Sequence, residues 1–336
     1  MNNLIGNKKV WLALLVLFML VYPFVVGQSG YLMTLFVMIT IYAISAMSLN
    51  LLVGYGGQIS VGHAGFLAIG GYSAAILASK LGLPFLLALP LSGVITGLIG
   101  LVIGLPAVRL SGHFLAVATL GFGLSIPQIA LNWDSLTGGY SGLGLFRPSW
   151  LSSDLQFFYA IVLSAILITW LLYNILKSRL GRAFLAIRES EVAAQATGIN
   201  ISFYKTMMFT VSAFFTGLAG GLYAYWIGFV SPNDFTVVTS FLLLGMIVVG
   251  GLASLPGAVI GAIIFTILPE LTSSFVGLTN IAIGTAIVLI ILFRPAGLIS
   301  VVDRFKKKKQ PVKIIEENDQ IPLPDGDGGA AKNVNL

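Results

Sequence analysis

The chain has 336 residues, of which 57% are hydrophobic and only 9% charged, with a mean hydropathy of +0.98. An ordinary soluble domain carries roughly 25% charged residues, and a soluble fold of this composition would need a largely apolar surface. The formal charge is +6, but six of the 18 Lys and Arg lie between Arg304 and Lys313, so the excess reads as juxtamembrane basic residues that set orientation and meet anionic lipid, not as a nucleic-acid footprint. The lack of Cys excludes disulfides, thiolate metal sites and Cys nucleophiles. Two His without HExxH spacing argue against zinc.

Only helices and closed barrels satisfy the backbone across a bilayer, and long unbroken apolar runs exclude the alternating strands of a barrel. The pattern predicts an all-α polytopic membrane protein with ten spans, near residues 10–26, 31–53, 62–79, 84–107, 113–131, 156–176, 206–229, 237–249, 256–268 and 276–293. The third, eighth and ninth are short or glycine-rich. Lys8 and Lys9 before the first run resemble a signal peptide, but no small-residue cleavage site follows, so the run reads as a retained helix. With residues 1–9 in the cytoplasm, alternation across ten spans puts sixteen of the 18 Lys and Arg inside: Lys8, Lys9, Arg109, five in the 177–205 loop and eight from Arg294 onward. Lys80 and Arg147 fall outside with Asp134, Asp154, Asp234 and Glu270. This is the bias of the positive-inside rule. The transmembrane domain thus covers 10–303, and 304–336 reads as a polybasic, polar tail, disordered and cytoplasmic.

The break after the second span, NLLVGYGGQISVGHAGFLAIGGYSAAI, holds glycines at 54, 56, 57, 62, 65, 70 and 71. Small residues let helix backbones approach closely in lipid, and broken helices are tolerated only against protein or a water-filled path. Asn50, Gln58, Ser60 and His63 are its polar groups, readable as a pathway wall or gate, or as hydrogen-bonding glue between helices. No GKS or GKT follows, so it is not a phosphate loop. Gly56-Gly57-Gln58-Ile59-Ser60 is weakly echoed by Gly250-Gly251-Leu252-Ala253-Ser254, either a decayed repeat or chance among 39 glycines.

Residues 177–205 form the longest polar stretch between spans. Helix formers over 182–197 predict one helix, ended by Gly198 and followed by a turn at Asn200. Such an exposed helix suits docking in a partner's groove, and a solvated topology loop would also explain its basic residues. The outer segment 132–154, with Trp133 and Trp150, suits either a ligand-delivering partner or interfacial anchoring. Glu270 falls at an outer edge and Arg109 at an inner helix end. No carboxylate lies well inside a span, which argues against a proton or sodium relay, and there is no nucleotide motif. Energy for active transport would have to come from another chain.

NLLVGYGGQISVGHAGFLAIGGYSAAI, RLSGHFLAVATLGFG and LTGGYSGL closely resemble the signatures of the LivM-type permeases of branched-chain amino acid ABC importers. GRAFLAIRESEVAAQATGIN is similar to that family's EAA-type coupling loop, with Glu191, Ala193, Ala194 and Gly198 matching the Glu, paired Ala and Gly pattern. VVGGLASLPGAVIGAI and FRPAGL extend the resemblance over residues 31–298. It implies a non-enzymatic transporter subunit of the inner membrane that binds no cofactor itself. It also implies pairing with a LivH-type permease, two cytoplasmic ATPases that use ATP, and a solute-binding protein delivering a branched-chain amino acid from outside. Arg188, Glu189, Glu191, Ala193, Ala194 and Gly198 would then transmit ATPase motion. A urea or short-amide permease of the same architecture is the nearest alternative. A stand-alone carrier or channel is disfavoured by the docking loop and the absence of buried carboxylates.

Overall fold

The computed structural model describes residues 22–24, 30–110, 112–272, 278–293 and 297–300. Helix α1 spans Gly30–Asn50 and continues as a π-turn over Leu51–Tyr55. It is followed by α2 (His63–Ser79), α3 (Phe85–Ala107), α4 (His113–Asn132) and α5 (Asp154–Lys177). Two short helices come next, α6 (Arg179–Glu189) and α7 (Glu191–Ala196), before the 27-residue α8 (Ile201–Ile227). Helices α9 (Val237–Gly250), α10 (Leu255–Thr272) and α11 (Leu278–Phe293) complete the described chain. Among the described residues the one strand pairing is a two-residue antiparallel clip, Leu143–Gly144 against Phe229–Val230.

Seven helical stretches are long and apolar enough to cross a membrane, that of α9 when counted from Pro232, and α2 is apolar at 17 residues. The nine predicted spans from 31 onward each coincide with one helix, including α2, α9 and α10, the three read as short or glycine-rich. The first predicted span lies almost wholly outside the described residues, as do residues 1–9 and the tail. Large apolar side chains such as Leu98, Phe114, Val117, Leu163, Leu167 and Trp170 point outward, an arrangement that lipid accepts and water does not.

The core forms where α8 crosses α3, α2 and α1; α9 and α10 pair with each other and lie on α1, and α5 packs on α1. Lipid supplies little hydrophobic drive for helices to associate, so close van der Waals packing of small residues has to do it. The α2–α8 crossing depends on this. A β-carbon on Gly70 would lie 2.2 Å from the Gly217 carbonyl oxygen, and one on Gly220 would lie 2.1 Å from that of Leu67.

The two ends of the bundle are chemically distinct. At one end, Lys80 Nζ donates to the Ser135 carbonyl (2.5 Å), Arg147 pairs with Asp154, and the Tyr31 hydroxyl donates to Glu270. Arg147 also donates to the carbonyls of Tyr225 (3.3 Å) and Trp226 (2.8 Å) and sits 4.9 Å from the Trp226 ring centroid. It thereby caps the negative C-terminal end of α8 with a cation. At the other end lie the 51–62 break, the 251–254 turn and α6–α7. The segments that alternation predicts to share a side meet at the same end.

Candidate functional site

At the second end the chain leaves α1 through its π-turn and re-enters as α2. Residues 56–62 between them are mostly buried and non-helical, so their amides need partners. Carbonyls of the π-turn and side chains from other helices supply partners for the break and the start of α2. Thr119 Oγ1 on α4 accepts from Val61 N (3.0 Å), and Ser240 Oγ on α9 accepts from Ala64 N (3.0 Å). Gln58 N donates to the Leu52 carbonyl (3.1 Å), and its side-chain amide reaches Met208 Sδ on α8 (3.5 Å).

His63 is fully enclosed at the start of α2. Its Nδ1 lies 3.1 Å from Ser60 Oγ and its Nε2 lies 2.8 Å from Ser212 Oγ on α8. Ser212 uses its one proton on the Ser48 carbonyl of α1 (2.6 Å), so Nε2–H is the donor to Ser212 and Nδ1 accepts from Ser60. Four segments are thereby joined by one chain of hydrogen bonds.

Asn50 stands apart from this chain and ties the two breaks together. Its amide donates to the carbonyls of Ser254 (2.9 Å) and Gly251 (3.3 Å) and accepts from Ala253 N (2.9 Å). A β-carbon on Gly54 would meet Asn50 Oδ1 at 1.9 Å and Ala253 N at 2.4 Å. The 251–254 turn therefore lies against Asn50 and Gly54, where α1 runs into its π-turn. Asn50, Gln58, Ser60 and His63 are all buried within the chain in this conformation.

The 177–205 loop differs from the single helix expected over 182–197. It folds as two helices, split at Ser190, which adopts an extended conformation (φ −162°, ψ 115°). The cause is capping: Ser190 Oγ accepts from Ala193 N (3.2 Å) and starts α7. Helix α6 buries Gly181, Ala183, Phe184 and Ile187. Gly198, at φ +84°, ends α7 as its sequence position predicts, with Ile199 N returning to the Ala194 carbonyl (3.1 Å). Asn200 then caps α8 by accepting from Phe203 N (3.1 Å). Arg188, Glu189, Glu191, Ala193 and Gly198 are exposed, Ala194 is buried, and Val192 is 80% exposed.

The turn touches the break directly, since a β-carbon on Gly57 would lie 3.2 Å from Arg188 Cγ. A second link had no counterpart in the sequence reading. Lys205, placed in the loop by hydropathy, lies inside α8, is buried, and pairs with Glu191 at 2.7 Å.

The family profile described as branched-chain amino acid transport system / permease component matches residues 31–294. The chain belongs to this family. Among its relatives is the high-affinity branched-chain amino acid transport system permease protein LivM of Salmonella typhimurium, 32% identical over 321 residues that cover 87% of this chain and 75% of LivM. The LivM protein of Escherichia coli matches at the same identity and coverage. The LivH permease of Escherichia coli is 25% identical over 289 residues, covering 77% of this chain and 91% of LivH. No solved structure gives a significant match. The family match takes in every helix from α1 to α11 apart from the first residue of α1, so both breaks and the α6–α7 turn lie within the family's shared region. The chain is accordingly a multi-pass permease subunit of the branched-chain amino acid importer type.

Proposed function

We propose that this chain forms half of the translocation pathway of an ATP-driven importer for branched-chain amino acids in the cell inner membrane. Its companions in that reading are a LivH-type permease, two cytoplasmic ATPases and an extracytoplasmic solute-binding protein. The observation that carries the proposal is the α6–α7 turn. It is a capped element that exposes Val192 and is seated directly on the break between α1 and α2. An exposed helical turn backed by buried Phe184 and Ile187 can receive force without deforming, and Arg188 beside Gly57 gives that force a short route into the bundle.

The turn then faces the cytoplasm and the clip that pairs 143–144 with 229–230 faces outward, consistent with the distribution of Lys and Arg. ATP is used by the ATPases; this chain needs no cofactor of its own. Arg188, Glu189, Glu191, Ala193, Ala194 and Gly198 serve as the docking and coupling residues. Asn50, Gln58, Ser60 and His63 hold the breaks whose rearrangement would open and close the path. The test is uptake of labelled leucine into vesicles holding both permeases and the ATPases, with binding protein outside and ATP inside. Uptake that unlabelled leucine competes and urea does not is the expected result; competition by urea would move the chain to an amide permease.

A further inference from the structure

Lys205 is the least accountable charge in the described bundle. It is 6% exposed and is the fifth residue of α8, close to the positive end of that helix, where a cation is disfavoured. Burying an ammonium is costly unless it is closely paired. Its partner, Glu191, is the first residue of α7, a favourable place for a carboxylate, and the Glu191 side chain is 53% exposed. The ion pair therefore has one leg packed into the bundle and the other on the exposed turn.

From Lys205 the same face of α8 continues through Met208, Ser212 and Thr216, at helical spacings of three and four residues. Met208 holds Gln58, and Ser212 holds His63 and the end of α1. We propose that Lys205 is the positioning residue through which displacement of the α7 turn reaches the break between α1 and α2. A shift of Glu191 draws on the start of α8, and the Met208–Gln58 and Ser212–His63 contacts carry that shift into the 56–63 segment. This inference rests on the turn being the ATPase docking element.

Stability and coupling then respond in opposite directions to one substitution. Lys205→Met removes a buried charge and keeps the side-chain length, while the Glu191 left behind is half in water. Replacing buried ionic groups with apolar ones of similar volume is often neutral or stabilising. Glu191→Gln breaks the same link but lowers stability, because it strands the buried ammonium.

The experiment uses the reconstituted complex of both permeases, ATPases and binding protein, and reads thermal stability together with leucine moved per ATP hydrolysed. Lys205→Met is expected to melt at or above the wild-type temperature and to move on the order of tenfold less leucine per ATP, a typical size for energetic coupling between sites. Lys205→Arg, which keeps the pair, is expected to stay near wild type. A normal leucine-to-ATP ratio in Lys205→Met overturns the inference. So does a parallel fall in stability and uptake at an unchanged ratio, since that marks a purely structural pair. A wild-type complex without ATP-dependent uptake overturns the importer reading and this link with it, whereas a coupled wild type with a coupled Lys205→Met removes the link alone.

Discussion

His63 Nε2 donates to Ser212 Oγ across 2.8 Å, and the Ser212 hydroxyl donates in turn to the Ser48 carbonyl. One hydroxyl thus joins α2, α8 and α1 inside the bundle. Ser212→Ala leaves a buried imidazole N–H without an acceptor. Interhelical hydrogen bonds in membranes contribute about 0.5–2 kcal/mol, and an orphaned buried donor adds to the loss. Unfolding in detergent is expected to show Ser212→Ala less stable by about 1–2 kcal/mol. Ser164→Ala, which deletes only a bond to the carbonyl of Ala160 in its own helix, is expected to change little.

Gly70 tests the α2–α8 crossing. A β-carbon there would lie 2.2 Å from a backbone oxygen that cannot rotate away. Gly70→Val is expected to abolish the monodisperse peak on gel filtration of the detergent-solubilised protein. Gly121→Ala on α4, where nothing lies within 4 Å, is expected to elute as wild type.

Asn50 fills both amide donors and its acceptor on the 251–254 turn. Asn50→Ala leaves Ala253 N and two carbonyls to find other partners, a loss of about 2 kcal/mol by ordinary hydrogen-bond magnitudes. Limited proteolysis is expected to cut faster between α9 and α10 in this variant. Unchanged cleavage there would remove Asn50 as the tie between the two breaks.

The spans were legible because a bilayer demands continuous apolar runs, and even α2, α9 and α10, the three read as short or glycine-rich, satisfied that demand. What stayed hidden was pairing across sequence distance. Lys205 immediately precedes the hydropathy run and so read as the end of the loop, although α8 begins earlier, at the Asn200 cap; its partner Glu191 lies fourteen residues upstream. Ser212, Ser240 and Thr119 carry the bonds that hold the break. Along the chain they look like Ser45 or Thr216, which only bond back to their own helix. The split at Ser190 had a readable signal, a serine followed by a glutamate within a run of helix formers, but propensity summed over the run concealed it. Gly198 and Asn200 were legible because turn chemistry is local.

Sidedness can be read directly, because the chain has no Cys. Phe146 is 92% exposed at the end carrying Arg147 and Asp154, and Val192 is 80% exposed at the other. In intact cells a membrane-impermeant thiol reagent is expected to label Phe146→Cys and to spare Val192→Cys until the membrane is opened. Labelling in the opposite order would invert the orientation.

In the proposed importer the α7 turn is where an ATPase seats. A photoactivatable cross-linker on Val192→Cys, in membranes that contain the whole complex, tests it most directly. The predicted result is a cross-link to the ATPase subunit that depends on the α7 turn and is absent from Phe146→Cys. Cross-linking of Val192→Cys to lipid alone, in a complex that still hydrolyses ATP and takes up leucine, would contradict it.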